Sequence, residues 1–517
     1  MAHEIEIREK TDDGCGRIGD GMTLRKHMYG AIPLLFAILA ACTVGPDYVR
    51  PKVETPPSYK ETEGWKKAEP RDRIPRCAWW TMFNDTRLNA LEEQVNISNQ
   101  NLAAAEAQYR EALALVQVAR AAYYPTVTAG PTVSRERPSA NTPGIHGVTV
   151  GASVTSSDLI LSGQLTWEID IWGKVRRQVE SAAASAQASF ADIEAVRLSA
   201  QAQLAQDYFQ LRSLDSQTQI LEKTVGNYQK FLDLTKNRYA TGVASQSDVQ
   251  TARVQLDTAK AQLIGLGVQR AQFEHAIAML MGKAPSDLTI APTPLDGPPP
   301  EIPAGIPSEL LERRPDIAAA ERLADAANAQ IGVAIAAYYP TVTLNASGGF
   351  EASSVAQWFA WPSRMWTLGT ASLEQILFNG GLTHAQVEEA CAAYDANVAT
   401  YRQTVLAAFQ NVEDELAALR ILEQQAQAQG IAVNSARKNV EITINQYRVG
   451  TASALDVITT EAIALNNELN AAGILGNRMT SAVLLIQAVG GGWTAADLPT
   501  QEEVGKRHYK RNWFDPF

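Results

Sequence analysis

The chain has few aromatic residues, few cysteines and no excess of positive charge. Aromatic residues make up 7% of its 517 residues. The four cysteines (Cys15, Cys42, Cys77 and Cys391) are too few and too scattered for a disulfide framework or a Cys-x-x-Cys metal site. Lys and Arg number 45 against 56 Asp and Glu, a net charge of −11, which argues against binding to duplex nucleic acid because that needs a basic excess. No apolar run reaches the roughly 18 residues of a membrane-spanning helix, which excludes a polytopic helical membrane protein.

The beginning of the chain has the pattern of a secretory signal. Three basic residues, Arg25 to His27, precede an apolar run at 31–41 that is too short to span a bilayer and ends at Cys42. The Leu-Ala-Ala-Cys ending at 39–42 resembles a bacterial lipobox, in which the cysteine accepts the lipid; the alternative is an ordinary signal peptide with an incidental cysteine. In the lipobox interpretation, Thr43 favours sorting to the outer membrane. Residues 1–21 precede Met22 and are interpreted as an upstream extension.

The chain contains an internal duplication of about 200 residues. The string AAYYPTVT occurs at 121–128 and again at 336–343, an offset of 215. The string YATGVASQSDV at 239–249 has a counterpart, YRVGTASALDV, at 447–457, an offset of 208. This period is far longer than the roughly 20–50 residues of solenoid repeats. A proline-rich stretch between Ala284 and Pro307 predicts an extended linker between the halves.

Each half is predicted to contain a helix, two strands, a long helix, a turn and a returning helix. The first helix covers 88–122 and ends before Pro125, since proline cannot continue it. Strands are expected at about 126–137, 159–171, 341–351 and 365–378. The second strand alternates most cleanly, with Leu159, Leu161, Leu165, Trp167, Ile169 and Ile171 on one face and Ser162, Gln164, Thr166, Glu168 and Asp170 on the other.

The long helices have a coiled-coil period. Between Phe190 and Leu232, apolar residues recur every 3.5 residues on average, and no proline interrupts 178–281. A helix over 178–238 would be roughly 90 Å long at 1.5 Å per residue, with a partner returning to Met281. The second half predicts the same hairpin from Leu382 to Arg448 and back to Val489. Such hairpins do not form a compact globule.

The strand pattern implies assembly of several chains. Strands with one apolar and one polar face, in a secreted lipidated chain, suggest an outer-membrane β-barrel. Four strands cannot close a barrel, which needs about eight, and open edges are not tolerated in lipid. Two chains would supply eight strands around a packed interior, and three would supply twelve with room for a lumen. The alanine-rich helices, pooled in the same way, would form a second, helical cylinder.

Taken together, these motifs resemble one protein family. They are the lipobox with the PDY string at 46–48, WWTMFND at 79–85, both YYPTVT strings, LLERRPDI at 310–317 and the two Tyr…Gly…Ser…Asp-Val turns. The sequence resembles, over about 42–492, the outer membrane factors of bacterial tripartite efflux and secretion systems (TolC-like, lipoprotein NodT branch). The resemblance implies an α+β, mainly α protomer with duplicated halves, four strands and long coiled-coil hairpins. It implies a homotrimer with a 12-stranded β-barrel in the outer membrane joined to a 12-helix α-barrel across the periplasm.

The resemblance also implies partners and a direction of transport. The channel would be the exit duct of a tripartite efflux system that exports small molecules such as drugs or toxic compounds, as in multidrug resistance. Its partners would be a periplasmic adaptor protein, an inner-membrane pump of the RND type and outer-membrane lipid, with no cofactor other than the covalent lipid (such as palmitate) on Cys42. The alternatives are the outer channel of a type I protein secretion system and a lipid-anchored periplasmic coiled-coil scaffold without a pore. The four alternating strands disfavour the scaffold.

The two turns are the sharpest candidate site. Gly242 and Gly450 suit a helix reversal with positive φ, and Ser245 and Ser453 suit the N-cap of the returning helix. The alternative is that the motif only ends helices. By resemblance the turns form the periplasmic tip that docks the adaptor, and the residues assigned there are Arg238, Tyr239, Gly242, Ser245, Asp248, Tyr447, Gly450 and Ser453.

A pore constriction is assigned to Leu455 and Asp456. Asp456 matches a family carboxylate that rings the closed entrance, where three-fold symmetry would disfavour full ionisation and create a cation-preferring gate. The sequence departs from the family pattern at Thr459, where a second acidic residue is expected, and at Ala452, where a basic residue is expected. Leu455 would then contribute a hydrophobic constriction. The alternative for Asp456 is a partner of the helix dipole.

Nothing in the sequence predicts an enzyme. Serine-hydrolase, zinc-protease, P-loop and dinucleotide fingerprints do not occur. His384 and Glu388 have helical spacing, but two groups are too few for a catalytic zinc site. The predicted division is an upstream extension and signal at 1–41, a lipid-anchored N-terminal segment at 42–87, the first repeat at 88–284, the linker at 285–307, the second repeat at 308–490 and a tail at 491–517.

Overall fold

The computed structural model describes residues 43–61, 78–137, 139, 155–302 and 307–506. The α-helices are α1 (Thr86–Ser98), α2 (Gln100–Ala121), α3 (Lys174–Ala240), α4 (Gln246–Leu280), α5 (Leu310–Arg313), α6 (Pro315–Ala336), α7 (Leu382–Val449), α8 (Ala454–Ala488) and α9 (Gln501–Val504). The strands are β1 (Thr126–Glu136), β2 (Ser156–Glu168), β3 (Thr341–Ala352) and β4 (Arg364–Glu374). Short 3₁₀ turns lie at Trp79–Phe83, Pro285–Asp287, Pro307–Glu309, Val355–Gln357, Trp361–Ser363 and Ala495–Asp497.

The predicted helix at 88–122 is wrong in one respect, because it is broken at Asn99. Asn99 has extended backbone angles, and its side-chain oxygen accepts a hydrogen bond from the amide of Leu102 at 3.0 Å, so it N-caps α2. Its side-chain nitrogen donates to the carbonyl oxygen of Leu280 at 2.7 Å, and the residue is buried. One asparagine therefore begins a helix and also binds the C-terminal end of α4.

The four strands form one antiparallel sheet in the order β1-β2-β3-β4. The predicted second and fourth strands are too long at their C-terminal ends, since β2 ends at Glu168 and β4 ends at Glu374. After Glu168 the chain bends at once into α3, because the carboxylate of Asp170 accepts the first helical amides, those of Val175 and Arg176. Ile169 and Ile171 therefore lie in a link and not in the strand.

The register places apolar residues of all four strands on one face. Val127 faces Leu165, which faces Ala346, which faces Leu368, and most of the alternate residues are polar, with Ile160 and Met365 as exceptions. Directly opposed residues share a face of the sheet. The apolar face consists of Val127, Val133, Leu159, Leu161, Leu165, Trp167, Leu344, Phe350, Trp366, Leu368 and Leu373. A bulge beside Ala346 leaves Gly369 unpaired with φ of +79°, which keeps the β4 residues beyond it in phase.

The two long helical hairpins pair along their length. α3 and α7 have 67 and 68 residues, which corresponds to roughly 100 Å each. α3 packs against α2, α4, α6 and α8, and α7 packs against α6 and α8. Of the described helices, α8 is long and apolar enough to cross a membrane by length and composition, but its apolar side chains fill the contacts with α3 and α7.

Two hydrophobic clusters hold the hairpins together. The larger one lies where both halves meet the N-terminal segment, and its largest buried side chains include Trp79, Tyr208, Tyr401 and Leu416. The second cluster, here called the tip core, lies near the turns and consists of Tyr228, Phe231, Leu232, Val249, Ala252, Leu256, Ala259, Tyr447, Ala454, Val457 and Ile458. The tip core joins α3 and α4 of the first half to α7 and α8 of the second.

The N-terminal segment 43–61, here called the strap, crosses both halves. Its start lies beside the N-terminus of α3, where the amide of Val44 donates to the carbonyl oxygen of Trp172 at 3.0 Å. Further along, the hydroxyl of Tyr48 donates to Glu321 on α6 at 2.7 Å, and Glu61 pairs with Arg420 on α7. The strap thus runs from the strand end of the molecule towards its middle.

Candidate functional site

The two tip turns reverse the chain through glycines with positive φ. Gly242 has φ of +77° and Gly450 has φ of +84°, a region that side chains with a Cβ rarely adopt. At both positions a Cβ atom would meet open space, so the backbone angle and not crowding requires glycine. The turns follow α3 and α7 and lead into α4 and α8, at the end of the hairpins opposite the sheet.

Both returning helices begin with a complete capping box. In the first turn the amide of Asp248 donates to the Ser245 hydroxyl at 3.1 Å, and the amide of Ser245 donates to the Asp248 carboxylate at 2.9 Å. In the second turn the corresponding distances between Ser453 and Asp456 are 3.2 Å and 2.8 Å. Each box satisfies two backbone donors that a helix start would otherwise leave without partners.

The tyrosine before each turn has a different role in the two halves. Tyr447 is 4% exposed, whereas its counterpart Tyr239 is 48% exposed. Arg238 of α3 donates to the carbonyl oxygen of Tyr447, and its guanidinium carbon lies 4.5 Å from the centre of the Tyr447 ring. This cation–π contact and hydrogen bond join the two hairpins at the tip.

Two further residues of α3, which the sequence did not single out, complete this contact. The ring of Phe231 lies 5.3 Å from that of Tyr447, and the hydroxyls of Thr235 and Tyr447 lie 3.4 Å apart. Phe231, Thr235 and Arg238 recur at helical spacing on one side of α3. The only signal for them in the sequence is this spacing beside a motif residue.

Glu461 of α8 is a buried acidic residue that the sequence pattern also did not reveal. Burial, reinforced by the negative charge of Glu468, raises the pKa of Glu461 to about 7. Tyr228 of α3 faces it, and Glu468 in turn pairs with Arg437 of α7. The charge of Glu461 is therefore held among apolar residues, and its protonation changes near neutral pH.

The two residues assigned to a constriction lie side by side at the start of α8. Leu455 is 63% exposed, and the Asp456 carboxylate is fully exposed apart from its capping bonds. Hydrogen bonds from the side chain and the backbone of Ser453 lower the pKa of Asp456. The hydroxyl of Thr459 donates to the carbonyl oxygen of Leu455 and so remains on its own helix. Within one chain Asp456 is the capping partner of Ser453.

The other candidates from the sequence are the lipidation site and the His384–Glu388 pair. Cys42 lies outside the described residues, which begin at the next position, Thr43. Within the described ranges, no group of three or more His, Cys, Asp or Glu side chains could hold a metal ion. His384 and Glu388 form an exposed pair, 3.4 Å apart, on the surface of α7.

Comparison with known proteins gives the same halves and the same architecture. A family described as outer membrane efflux protein matches residues 91–283 and 306–491, one segment for each half. The toluene efflux pump outer membrane protein TtgC of Pseudomonas putida is 30% identical over 459 residues, which covers 88% of this chain and 94% of that protein. The pyoverdine export outer membrane protein OpmQ of Pseudomonas putida is 32% identical over 487 residues, which covers 93% of this chain and all of that protein.

A solved structure agrees with this relationship. The outer-membrane channel OprN superposes with a TM-score of 0.81 at 31% identity, and the match covers 87% of this chain and all of that one. The predicted α+β, mainly α fold of the TolC-like channels is thereby confirmed. The chain belongs to the outer membrane efflux protein family and is an efflux channel of the outer membrane.

Proposed function

We propose that this chain is one protomer of a trimeric exit duct in a tripartite efflux system. The observation that carries the proposal is the four-stranded sheet with one continuous apolar face and one polar face. In the described chain β1 and β4 each have only one neighbour, so the sheet has two open edges. Three copies joined edge to edge would supply twelve strands, lipid on the apolar side and a wet lumen on the polar side.

The long hairpins support a periplasmic tunnel that continues this barrel. Helices of roughly 100 Å carry exposed apolar residues along faces that the single chain leaves uncovered. Val254, Ile264 and Val268 on α4, with Ile421, Ile431 and Ile442 on α7, are such residues. Neighbouring copies would bury them. The acidic net charge suits a water-filled conduit that favours cations.

The tip is proposed to dock a periplasmic adaptor that connects the channel to an inner-membrane pump of the RND type. Tyr239 and Val243 are exposed there, and the glycines at the turns leave the backbone accessible. Exposed aromatic and aliphatic side chains on a rigid, capped turn are typical of interaction surfaces. Five other residues would then position this surface rather than form its outermost contacts. Arg238 binds Tyr447 between the two hairpins, whereas Ser245, Asp248 and Ser453 are held in the capping boxes of their own turns.

Leu455 and Asp456 are proposed to form the narrowest part of the closed entrance. Three-fold symmetry would bring three carboxylates together and disfavour full ionisation, whereas the capping bonds from Ser453, which lower the pKa of Asp456, favour the ionised form. Asp456→Asn keeps an oxygen for the cap but removes the charge, so we expect a loss of cation preference in planar bilayers. Asp248→Asn is the matched control in the first turn. Unchanged selectivity in Asp456→Asn would remove Asp456 from the gate.

Cys42 is proposed to carry the lipid anchor. The strap begins one residue later, beside the elbow between β2 and α3, and this is the level at which the sheet ends and the periplasmic helices start. Acyl chains at position 42 would therefore reach the inner leaflet of the outer membrane. Each buried CH₂ group contributes about 0.8 kcal/mol to such an anchor. Mass spectrometry of the mature N-terminal peptide tests this directly.

The cargo is proposed to be small molecules supplied by the pump, such as drugs or other toxic compounds. Relatives carry names that refer to toluene efflux and to pyoverdine export, which are chemically different cargoes. A permissive duct accounts for both cargoes, because the pump would select the cargo before it enters the channel. Drug susceptibility of a deletion strain, complemented with the wild type, measures this role.

The channel itself is tested with purified outer-membrane protein. A trimer that resists SDS until it is heated, and that conducts ions in a planar bilayer, is the expected result. A monomeric protein that does not conduct would favour the periplasmic scaffold instead.

A further inference from the structure

The β3–β4 hairpin turns at the end of the sheet that lies farthest from the helices. The chain enters β3 from α6 at Thr341 and leaves β4 towards α7 after Glu374, so the loop at 353–363 is at the opposite end. Three of the ten tryptophans of the chain occur within nine residues there, at 358, 361 and 366. Arg364 is the only charged residue between Glu351 and Glu374. With the helices in the periplasm, this end faces the outside of the cell.

The loop bends towards the apolar face of the sheet. The hydroxyl of Ser363 donates to the carbonyl oxygen of Gln357 at 2.6 Å, and the amide of Ala360 donates to the same oxygen at 3.0 Å, which braces the loop. The ring of Phe359 packs on that of Phe350, with ring centres 5.7 Å apart. Since Phe350 shares a face with Leu161, the loop lies over the apolar side and not over the polar one.

Arg364 lies on the same apolar face, because it is paired directly with Phe350. Its ε nitrogen donates to the carbonyl oxygen of Trp361 at 2.9 Å, and its guanidinium lies over the Trp361 ring. A guanidinium that stacks on a ring uses its flat side, and its N–H edge stays available to an anion. Among the described residues, the two terminal nitrogens of Arg364 have no hydrogen-bond partner.

The charges of the four strands are divided between the two faces. On the apolar face of these strands the charged residues are Arg135 and Arg364 alone, both at the end away from the helices. The charged residues of the polar face are all acidic, namely Glu136, Asp158, Glu168, Glu351 and Glu374. An arginine that faces lipid is costly at the middle of a bilayer and cheap at its surface, which accounts for this placement.

The height of Arg364 fits the outer surface of a bilayer. Leu373 is the last apolar residue at the helix end of β4, nine residues from Arg364. Nine residues of a strand tilted as in a barrel rise about 23 Å along the membrane normal, close to the apolar band of about 25 Å that such barrels present to lipid. Arg364 therefore lies at the level of the outer headgroups.

We propose that Arg364 and Trp361 bind a phosphate group of the outer-leaflet lipid, which in an outer membrane is a phosphorylated glycolipid. This inference rests on the proposed barrel and adds a lipid partner at its outer rim. The guanidinium would hold the phosphate through parallel N–H···O bonds. Trp361 and Trp366, which are 74% and 77% exposed, would lie against the lipid beside it, as aromatic residues do at membrane surfaces.

A neighbouring copy is the other possible occupant, because β4 is an edge strand of the described sheet. Copies that join edge to edge meet through the backbone groups of β4, whereas side chains project from the faces of a sheet. Arg364 and Trp366 would thus remain on the lipid side of an assembled barrel. The positive charge at this rim is complementary to phosphate.

Native mass spectrometry of the detergent-solubilised trimer measures the binding of added lipid. The wild type should bind diphosphoryl lipid A, and lipid A without its phosphates at least about tenfold more weakly. Arg364→Gln should lower the affinity for diphosphoryl lipid A about tenfold, because it removes a charge-assisted pair of hydrogen bonds. Arg364→Lys, which keeps the charge but not the fork of donors, should lose less.

Arg135→Gln is the matched control, since Arg135 lies on the same face without an aromatic loop beside it. It should lower the affinity by less than Arg364→Gln does, and an equal or larger loss would contradict the site. Trp361→Ala should weaken binding as well, because the ring orients the guanidinium. Phosphatidylglycerol bound as tightly as diphosphoryl lipid A would overturn the assignment to the glycolipid.

The inference and the proposed function fail in different ways. A trimer that conducts ions, but whose affinity for diphosphoryl lipid A is unchanged in Arg364→Gln, overturns the inference and leaves the channel standing. A monomeric wild type that does not conduct overturns both.

Discussion

The turn at 239–249 and the turn at 447–457 are built from the same motif but stand in different surroundings. Their capping boxes agree in every hydrogen bond, and both glycines have the same backbone conformation. Tyr239 nevertheless lies exposed, while Tyr447 lies buried against Arg238 and Phe231 of the other half. Further along the returning helices, Arg253 is exposed and its counterpart Glu461 is buried.

Two kinds of interaction stabilise the tip, namely local capping boxes and contacts between helices. The capping boxes are local, since each depends only on residues three apart, and duplication preserved both. Tyr447 and Glu461 of the second half instead face α3 of the first half, and their counterparts Tyr239 and Arg253 are exposed. We therefore expect the second turn to hold the closed tip, and the first turn to serve as the freer surface.

Removal of the Tyr447 ring is expected to have the largest effect, because it deletes the contact that distinguishes the second turn from the first. Tyr447→Ala deletes a buried aromatic ring and its cation–π partner, and should destabilise the tip by about 3 kcal/mol or more. Amide hydrogen exchange in the last turns of α7 and the first turns of α8 measures this loss. Tyr239→Ala is the control and should change exchange little. Equal effects of the two substitutions would contradict the comparison.

The buried Glu461 makes the second turn sensitive to pH. Its pKa is raised from the ordinary 4.5 to about 7, so closing the tip is unpenalised below about pH 4.5 and becomes less favourable as the pH rises through 7. Glu461→Gln should remove this dependence and stabilise the tip at pH 8 by about 3 kcal/mol, since the pKa is raised from 4.5 to about 7 and each pKa unit corresponds to about 1.36 kcal/mol. Channel conductance or tip exchange at pH 5 and pH 8 measures it.

The matched variant for this prediction is Arg253→Gln in the first half. Arg253 is 67% exposed and pairs only weakly with Asp257, so its replacement should leave the pH profile unchanged. If Glu461→Gln keeps the wild-type profile, the pH dependence of the tip resides in other groups.

The capping boxes should respond alike, and this is the smallest effect expected. Ser245→Ala and Ser453→Ala each remove one acceptor for a helix-start amide, which costs about 1 kcal/mol. Ser→Gly variants should lose less, because glycine is tolerated at an N-cap. Local exchange at the starts of α4 and α8 measures both. A clearly larger loss in one turn would show that the caps, too, have diverged.

The sequence was sufficient for the periodic elements but not for the contacts between them. The bounds of α3, α4, α7 and α8 differ from the prediction by only a few residues, because heptads, glycines and prolines mark them locally. The helix break at Asn99 is not predictable from the sequence, because a single polar residue within a polar helix does not change the periodic pattern. Tyr239 and Tyr447 are indistinguishable in the motif, and burial depends on which helix of the other half lies beside each of them.

The C-terminal ends of strands β2 and β4 show the same limit of prediction from sequence patterns. Alternation in the sequence continues past Glu168 through Ile169 and Ile171, so the pattern predicts a longer strand. The helix start at Lys174 needs an acceptor for its first amides, and Asp170 provides it by leaving the strand. A requirement of one element thus shortened its neighbour, which a pattern read one element at a time does not reveal.

The strap has a consequence for the order in which the protein matures. It is the first described part of the chain to be synthesised, yet its partners Glu321 and Arg420 are more than 270 and 350 residues downstream. Its first contact, from Val44 to Trp172, lies within the first half, but the contacts of Tyr48 and Glu61 can form only after the second half has been made and folded. A chain truncated before the second half would therefore leave Tyr48 and Glu61 without these two partners, and the strap would be fixed at its first residues alone.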